Sequence, residues 1–202
     1  MIIQPGLARI EGFLKVYDPE SKEVFVDKKN AIHYENISIA MANTLADNST
    51  GFIYAMAFGN GGSAVDPTGV ITYLPPNTTG QNASLYNETY AKVVNQHSAA
   101  DVDPVNNYLT VLHTSGNVYT DIVTTCLLDY GEPAGQQAFD NSTNFNGDYV
   151  FDELGLQCWN GSADNLLLIT HVIFHPVQKS LNRQIQIDYT LRIQTLTNLS
   201  AA

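Results

Sequence analysis

The chain has 202 residues and is 44% hydrophobic, which suits one packed domain over 1–202. Its net charge of −11 comes with only nine Lys and Arg, too few and too scattered to replace the counterions of a nucleic-acid backbone. Only 14% of residues are charged, so the surface must be built from Asn, Gln, Ser and Thr, and no stretch approaches the ~18 apolar residues of a membrane span.

The first residues, "MIIQPGLARIEGF", have neither a basic start nor a long apolar run, so they do not read as a secretory signal. Eight N-x-S/T triplets, beginning at Asn36 and ending at Asn198, then read as coincidence in an Asn-rich and Thr-rich chain. "LARIEGFLKVY" and "KEVFVD" read as strands around an Asp18-Pro19 turn. Residues 1–30 are therefore expected to form an extended arm or the first strands. In "ENISIAMANTLA", Ile37, Ala40, Met41, Thr44 and Leu45 recur on one helical face, which predicts the chain's one clear helix.

"FIYAMAFG" reads as a buried strand. The Gly, Pro and Asn-rich stretch over 59–84 then predicts a large exposed loop, and such loops usually carry contacts. "LYNETYAKVV" fits a short helix or a strand. "NYLTVLHT" and "NVYTDIVTTCLLDY" flank Ser115-Gly116 and predict a hairpin, with Val118, Ile122, Cys126 and Leu128 on one face. A second polar loop follows over 131–147. "DYVFDELGLQCW", "NLLLITHVIF" and "RQIQIDYTLRIQ" complete the strands. In the last, Ile185, Ile187, Tyr189, Leu191 and Ile193 alternate with polar residues, the pattern of a half-buried antiparallel strand. The expected fold is mainly all-β, an antiparallel β-sandwich or jelly-roll with one short helix and long loops.

Candidate chemistry is sparse. His171 and His175 are four apart, but on a strand that spacing is about 13 Å, too far to share a metal. They are expected at the rim. Asp152 and Glu153 are adjacent and should face opposite sides of a strand, so they are not expected to form a catalytic pair. Asp101 and Asp103 read as turn carboxylates rather than calcium ligands. "FGNGG" lacks the Lys of a phosphate loop, and no nucleophile elbow is present. Cys126 and Cys158 read as buried free thiols. No cofactor, metal or catalytic group is expected. Trp159, Tyr149 and Tyr130 are the candidate aromatics should the chain bind a sugar.

The order of these segments resembles a recurring β-sandwich module of tailed-bacteriophage virion proteins, found in tail, collar, baseplate and head-surface parts. The resemblance covers roughly residues 52 to 193. It rests on Phe58, Gly59, Gly61, Gly62, Leu85, Asn87, Glu88, Glu153, Gly155, Leu156, Pro176 and Lys179. It implies a virion structural subunit without enzymatic activity, whose partners are other virion proteins and copies of itself. No repetitive shaft follows the last strand, so the expectation is a short subunit of the tail, neck or baseplate. A capsid decoration protein or a module for a host glycan is the alternative. Asn60, Gly61, Gly62, Asn77, Asn82, Gln136, Gln137 and Asn144 are the expected contact residues in the two long loops. Glu153, Gly155, Leu156 and Lys179 are the expected structural motif. Gly155 would mark a bulge or a close backbone approach, and Glu153 would pair with a base such as Lys179.

Overall fold

The strongest alternation in the sequence becomes the centre of a sheet. In the computed structural model, which describes residues 8–97, 103–134 and 149–195, β13 (Ile185–Thr195) lies between β1 (Ala8–Tyr17) and β9 (Tyr119–Leu128). β2 (Val24–Lys29) and β8 (Tyr108–Leu112) form the edges of this antiparallel sheet. Ile185, Ile187, Tyr189 and Leu191 are buried, and the residues between them are half-exposed. On the outward side Arg192 lies directly across from Asp121 and makes two hydrogen bonds to its carboxylate, of 2.7 and 2.8 Å.

The second sheet has the order β3 (Ala31–Ile32), β12 (Thr170–Gln178), β10 (Val150–Ser162), β4 (Ile53–Gly59), β7 (Glu88–Val93), with β11 (Asn165–Leu168) also on β10. Its pairings are antiparallel too. One hydrophobic cluster takes in Leu14, Val16, Ile187 and Tyr189 from the first sheet and Met56, Phe58, Leu154, Leu156 and Val172 from the second. The fold is thus mainly β and sandwich-like, as expected. Cys126 and Cys158 are free and buried within this cluster, and loss of solvation pushes each thiol up to about 12.

The helix α1 (Tyr34–Leu45) falls where its periodicity placed it. His33 caps it, its ring Nδ1 accepting from the Asn36 backbone N–H at 3.2 Å. Ile37 and Ala40 are buried against the end of the sandwich. Met41, Leu45, Val111, Ile122 and Ile193 help line an apolar cleft of about 350 Å³ beside it.

Several segments take more definite form than the sequence implied. Residues 8–29 are the first strands, while residues 1–7 of the expected arm lie outside the described residues. "LYNETYAKVV" contains strand β7. The 59–84 stretch is not a bare loop, since it contains the hairpin β5 (Ser63–Val65) and β6 (Ile71–Tyr73). β12 runs through "HPVQ" to Gln178, so Lys179 lies just past its end. The β9 face holds for Cys126, Leu128 and in part Ile122, whereas Val118 precedes the strand and is exposed. Most of the 131–147 loop, including Gln136, Gln137 and Asn144, lies outside the described residues.

Candidate functional site

Antiparallel strands in a sandwich normally leave every second residue in water. β10 does not: Val150 to Cys158 are buried without interruption. Its inner side carries Leu154, Leu156 and Cys158. Its outer side is roofed by the 60–87 segment, with a small apolar contact among Ala57, Leu85 and Leu168. Gly155 sits beneath this roof. A Cβ there would lie 2.5 Å from the Thr170 carbonyl and 2.5 Å from Leu168 Cδ1, so only glycine allows the approach. The close-approach reading of Gly155 therefore holds.

The polar residues of "FDELGL" hold the roof in place. Phe151 pairs with Val177 but Glu153 pairs with Ile173, so Phe174 to Pro176 all stand opposite Asp152. Proline is compatible with such an irregularity because no ladder hydrogen bond is required of it. The register shift breaks the alternation, and Asp152 and Glu153 do not diverge as expected. Both reach the same Gly-rich turn. Asp152 accepts from the Gly62 and Ser63 backbone N–H groups at 2.9 and 2.8 Å and from the Ser63 hydroxyl at 2.5 Å. Glu153 accepts from Gly61 N–H at 3.0 Å, Asn87 N–H at 2.8 Å and Tyr86 N–H at 2.9 Å.

The fourth donor to Glu153 is His171 Nε2, at 3.0 Å. His171 Nδ1 accepts from the Asn77 backbone N–H at 2.8 Å, which leaves the ring proton on Nε2. Glu153 and His171 are both fully buried, so His171 is not at the rim. His175 is exposed, with Tyr73 Oη at 3.3 Å from its Nδ1. Lys179 is not the partner of Glu153. It is buried at the far end of β12, where its amine donates to the Ser180 and Tyr130 carbonyls at 3.0 and 3.4 Å. Loss of solvation lowers its pKa to about 8, against the pull of Asp129 and Glu132.

The two carboxylates move in opposite directions. Burial drives Asp152 up more than its hydrogen bonds bring it down. Burial is also the largest influence on Glu153, but the donors from His171, Asn87, Tyr86 and Gly61 together outweigh it and the net shift is downward. With four donors on one carboxylate and both ring nitrogens of His171 engaged, the cluster ties chain positions 61–63, 77 and 86–87 to β10 and β12. Among the described residues no group of three or more His, Cys, Asp or Glu is placed to hold a metal ion.

The expected contact residues divide accordingly. Gly62 is buried and its N–H is used internally. Gly61 is packed so that a Cβ would lie 2.7 Å from Asn87 N. Asn60 accepts from Asn87 Nδ2, and Asn77 holds both His171 and the Ser84 carbonyl. Asn82 is exposed. Beside exposed polar residues such as Thr68, Thr72 and Gln81, the segment presents five large hydrophobic side chains outward: Val65, Val70, Tyr73, Leu74 and Tyr86 are each between 42% and 56% exposed. Asp66 is the single charged residue from 60 to 87, and it is turned onto Thr68 and Val70 of its own loop. The roles of Asn77, Tyr86 and His171 escaped sequence reasoning because two of them act through backbone N–H groups. The order of glycines, Asn87 and Glu153 was the available signal, since Gly59, Gly61, Gly62, Leu85, Asn87, Glu153 and Gly155 meet here.

The three candidate aromatics are not gathered. Tyr130 and Tyr149 flank Lys179, whose backbone N–H donates to the Tyr149 carbonyl. Trp159 is ten residues along β10, roughly 30 Å away at strand spacing. Its neighbours are Tyr54, with ring centroids 4.8 Å apart, and Phe52, at 6.3 Å. No protein-family model, curated protein or solved structure matches the chain.

Proposed function

We propose that the chain is a non-enzymatic structural subunit of a tailed-bacteriophage virion, joined to neighbouring subunits in the tail, neck or baseplate region through the 60–87 segment. The observation that carries this is the construction of that segment. Asp152, Glu153 and His171 fix its ends and middle, while five apolar side chains and almost no charge face outward. A pre-ordered surface loses little entropy on association, and few charges mean little desolvation cost. The resemblance in segment order supplies the virion setting. Saturation of Glu153 and His171 supports a mechanical role over a catalytic one, because neither has a free lone pair or proton to offer a substrate.

Quantitative mass spectrometry of purified particles of the virus that carries this gene tests the reading. The chain should be present at a fixed multiple of a tail or neck component. Its absence from the particles would sink the proposal, and a copy number in proportion to the major capsid protein would move it to a capsid decoration role.

A further inference from the structure

A second feature lies on the other side of the roof, where the 81–84 segment passes over β11. Here a small pocket of about 220 Å³ is lined by Asn82, Ser84, Gln157, Asn160, Asp164 and Leu166, among others. Gln157 forms its inner wall. This residue is only 7% exposed. Its Nε2 donates to Glu88 at 2.9 Å, yet its Oε1 is buried and accepts nothing from the described residues. The bond to Glu88 holds the amide fixed at the pocket wall, while Oε1 itself, with under 1 Å² exposed, is sealed from solvent. The groups open to the pocket are others: among the described residues, the side chains of Asn82, Asn160 and Asp164 make no hydrogen bond of their own.

We infer that this pocket binds an uncharged sugar residue. The volume lies below that of drug-sized sites and suits a single ring. The donors and acceptors are amides, a hydroxyl and one carboxylate, which match the alternating donor and acceptor character of sugar hydroxyls. No Lys or Arg lines the pocket, so an acidic sugar would meet Asp164 without a counter-charge. Leu166 gives an apolar patch for the C–H face of the ring. Trp159 lies two residues from Gln157 on β10 and pairs with Leu166 across to β11. Cys158 between them faces the core, so Gln157 and Trp159 share the outward face, and the half-buried indole with Tyr54 and Phe52 extends an aromatic surface beside the pocket. The aromatic and polar parts of a sugar site are thus adjacent, in a place that does not involve Tyr130 or Tyr149.

This inference does not rest on the assembly reading, since the pocket is complete within one chain. Its test is calorimetric titration of the full chain with methyl glycosides of neutral hexoses and N-acetylhexosamines, alongside a uronic acid and a sialoside. Trp159 is the only tryptophan, so its emission gives a second readout. At least one neutral glycoside should bind saturably, and the acidic sugars more weakly. Asn82→Ala and Asp164→Ala should each weaken binding about tenfold. Neither should move the melting temperature, because both side chains are exposed and make no hydrogen bond to the described residues. A pocket that holds only water gives no saturable heat with any glycoside, and that result overturns the inference. So does binding that both variants leave unchanged, or equal binding of acidic and neutral sugars.

Discussion

β13 and β10 are both interior strands of antiparallel sheets, and both put large apolar side chains into the same core. They differ on their outward sides. β13 shows Gln186, Asp188, Thr190 and Arg192 toward water, half-exposed. β10 shows Glu153, Gly155 and Gln157, all buried under another part of the chain. On the first sheet the outer residues are free to be any polar type. On the second they must match what covers them, atom by atom. A charged residue is therefore cheap to place on one strand and costly to disturb on the other, and each substitution below tests that contrast.

The largest effect is expected within β13 itself. Ile187→Asp places a carboxylate at a position with no exposure, and should cost about 4 kcal/mol or more. Gln186→Asp, one residue away on the outer side, should cost less than about 1 kcal/mol. Denaturant titrations of the two variants measure the difference. Equal losses would mean that β13 has no dry side and a wet one.

Glu153→Gln is the matching change on β10. An amide in place of the carboxylate turns one of its two terminal atoms into a donor, facing donors that already point there. The expected loss is about 3 kcal/mol. Hydrogen exchange should also rise at Gly61, Asn77, Tyr86 and Asn87 while the β13 amides stay protected. If exchange rises evenly over both sheets, the cluster is not a local anchor. Gly155→Ala should cost about 1–3 kcal/mol, because its Cβ would press on the Thr170 carbonyl.

The pH dependence separates the same groups. Glu153 has a folded pKa below its ordinary value, so the unfolded chain takes up its proton first on acidification. Its contribution is fully present above about pH 4.5 and is lost as pH falls through the lower folded value. Asp152 is shifted upward, mainly by burial, and so works in the opposite sense across the same region. Asp152→Asn should make the acid loss steeper, and Glu153→Gln should flatten it. Lys179 has a folded pKa of about 8 against 10.5. Between those values the unfolded chain holds the extra proton, so stability should rise with pH from about 8 toward 10, and Lys179→Met should remove that rise. Urea titrations at a series of pH values measure all three slopes.

How far the sequence discloses these features follows from the same contrast. Strict alternation in "IQIDYTLRI" reports one wet face and one dry face, so β13 and its buried positions can be read directly. The helix can be read as well, because Ile37, Ala40 and Met41 lie on one side of it. "FDELGLQCW" has no such regularity. Its outer side is dry for a reason some 70 to 90 residues away in sequence, at Gly61, Asn77 and Tyr86. Glu153 is shown to matter by its company, but its partner is not legible. Lys179 is near in sequence and opposite in charge, whereas three of the four actual donors are backbone N–H groups, which every residue but proline possesses. The register shift at Pro176 is what turns Asp152 toward the same turn, and adjacency alone implies the reverse.

A small effect is also expected at Arg192, and it bears on the contrast most directly. Arg192 and Asp121 form a two-bond ion pair on the outer side of the first sheet, with the guanidinium carbon 3.9 Å from the Tyr119 ring centroid. By contact distances this pair is at least as good as the bonds around Glu153. Arg192 is nevertheless about one-third exposed, and water and salt screen what they reach. Removing it leaves Asp121 able to hydrate, whereas removing the Glu153 charge leaves three backbone N–H groups and an imidazole facing an ill-matched amide. Arg192→Ala should therefore cost at most about 1 kcal/mol, and less in high salt. The loss in Glu153→Gln should hardly change with salt, since the cluster is sealed from it. Measuring both variants at low and high ionic strength decides whether burial or bond geometry sets the worth of a charge here. If Arg192→Ala costs as much as Glu153→Gln and is equally insensitive to salt, geometry governs, and the distinction between a solvated sheet and a roofed one loses its energetic content.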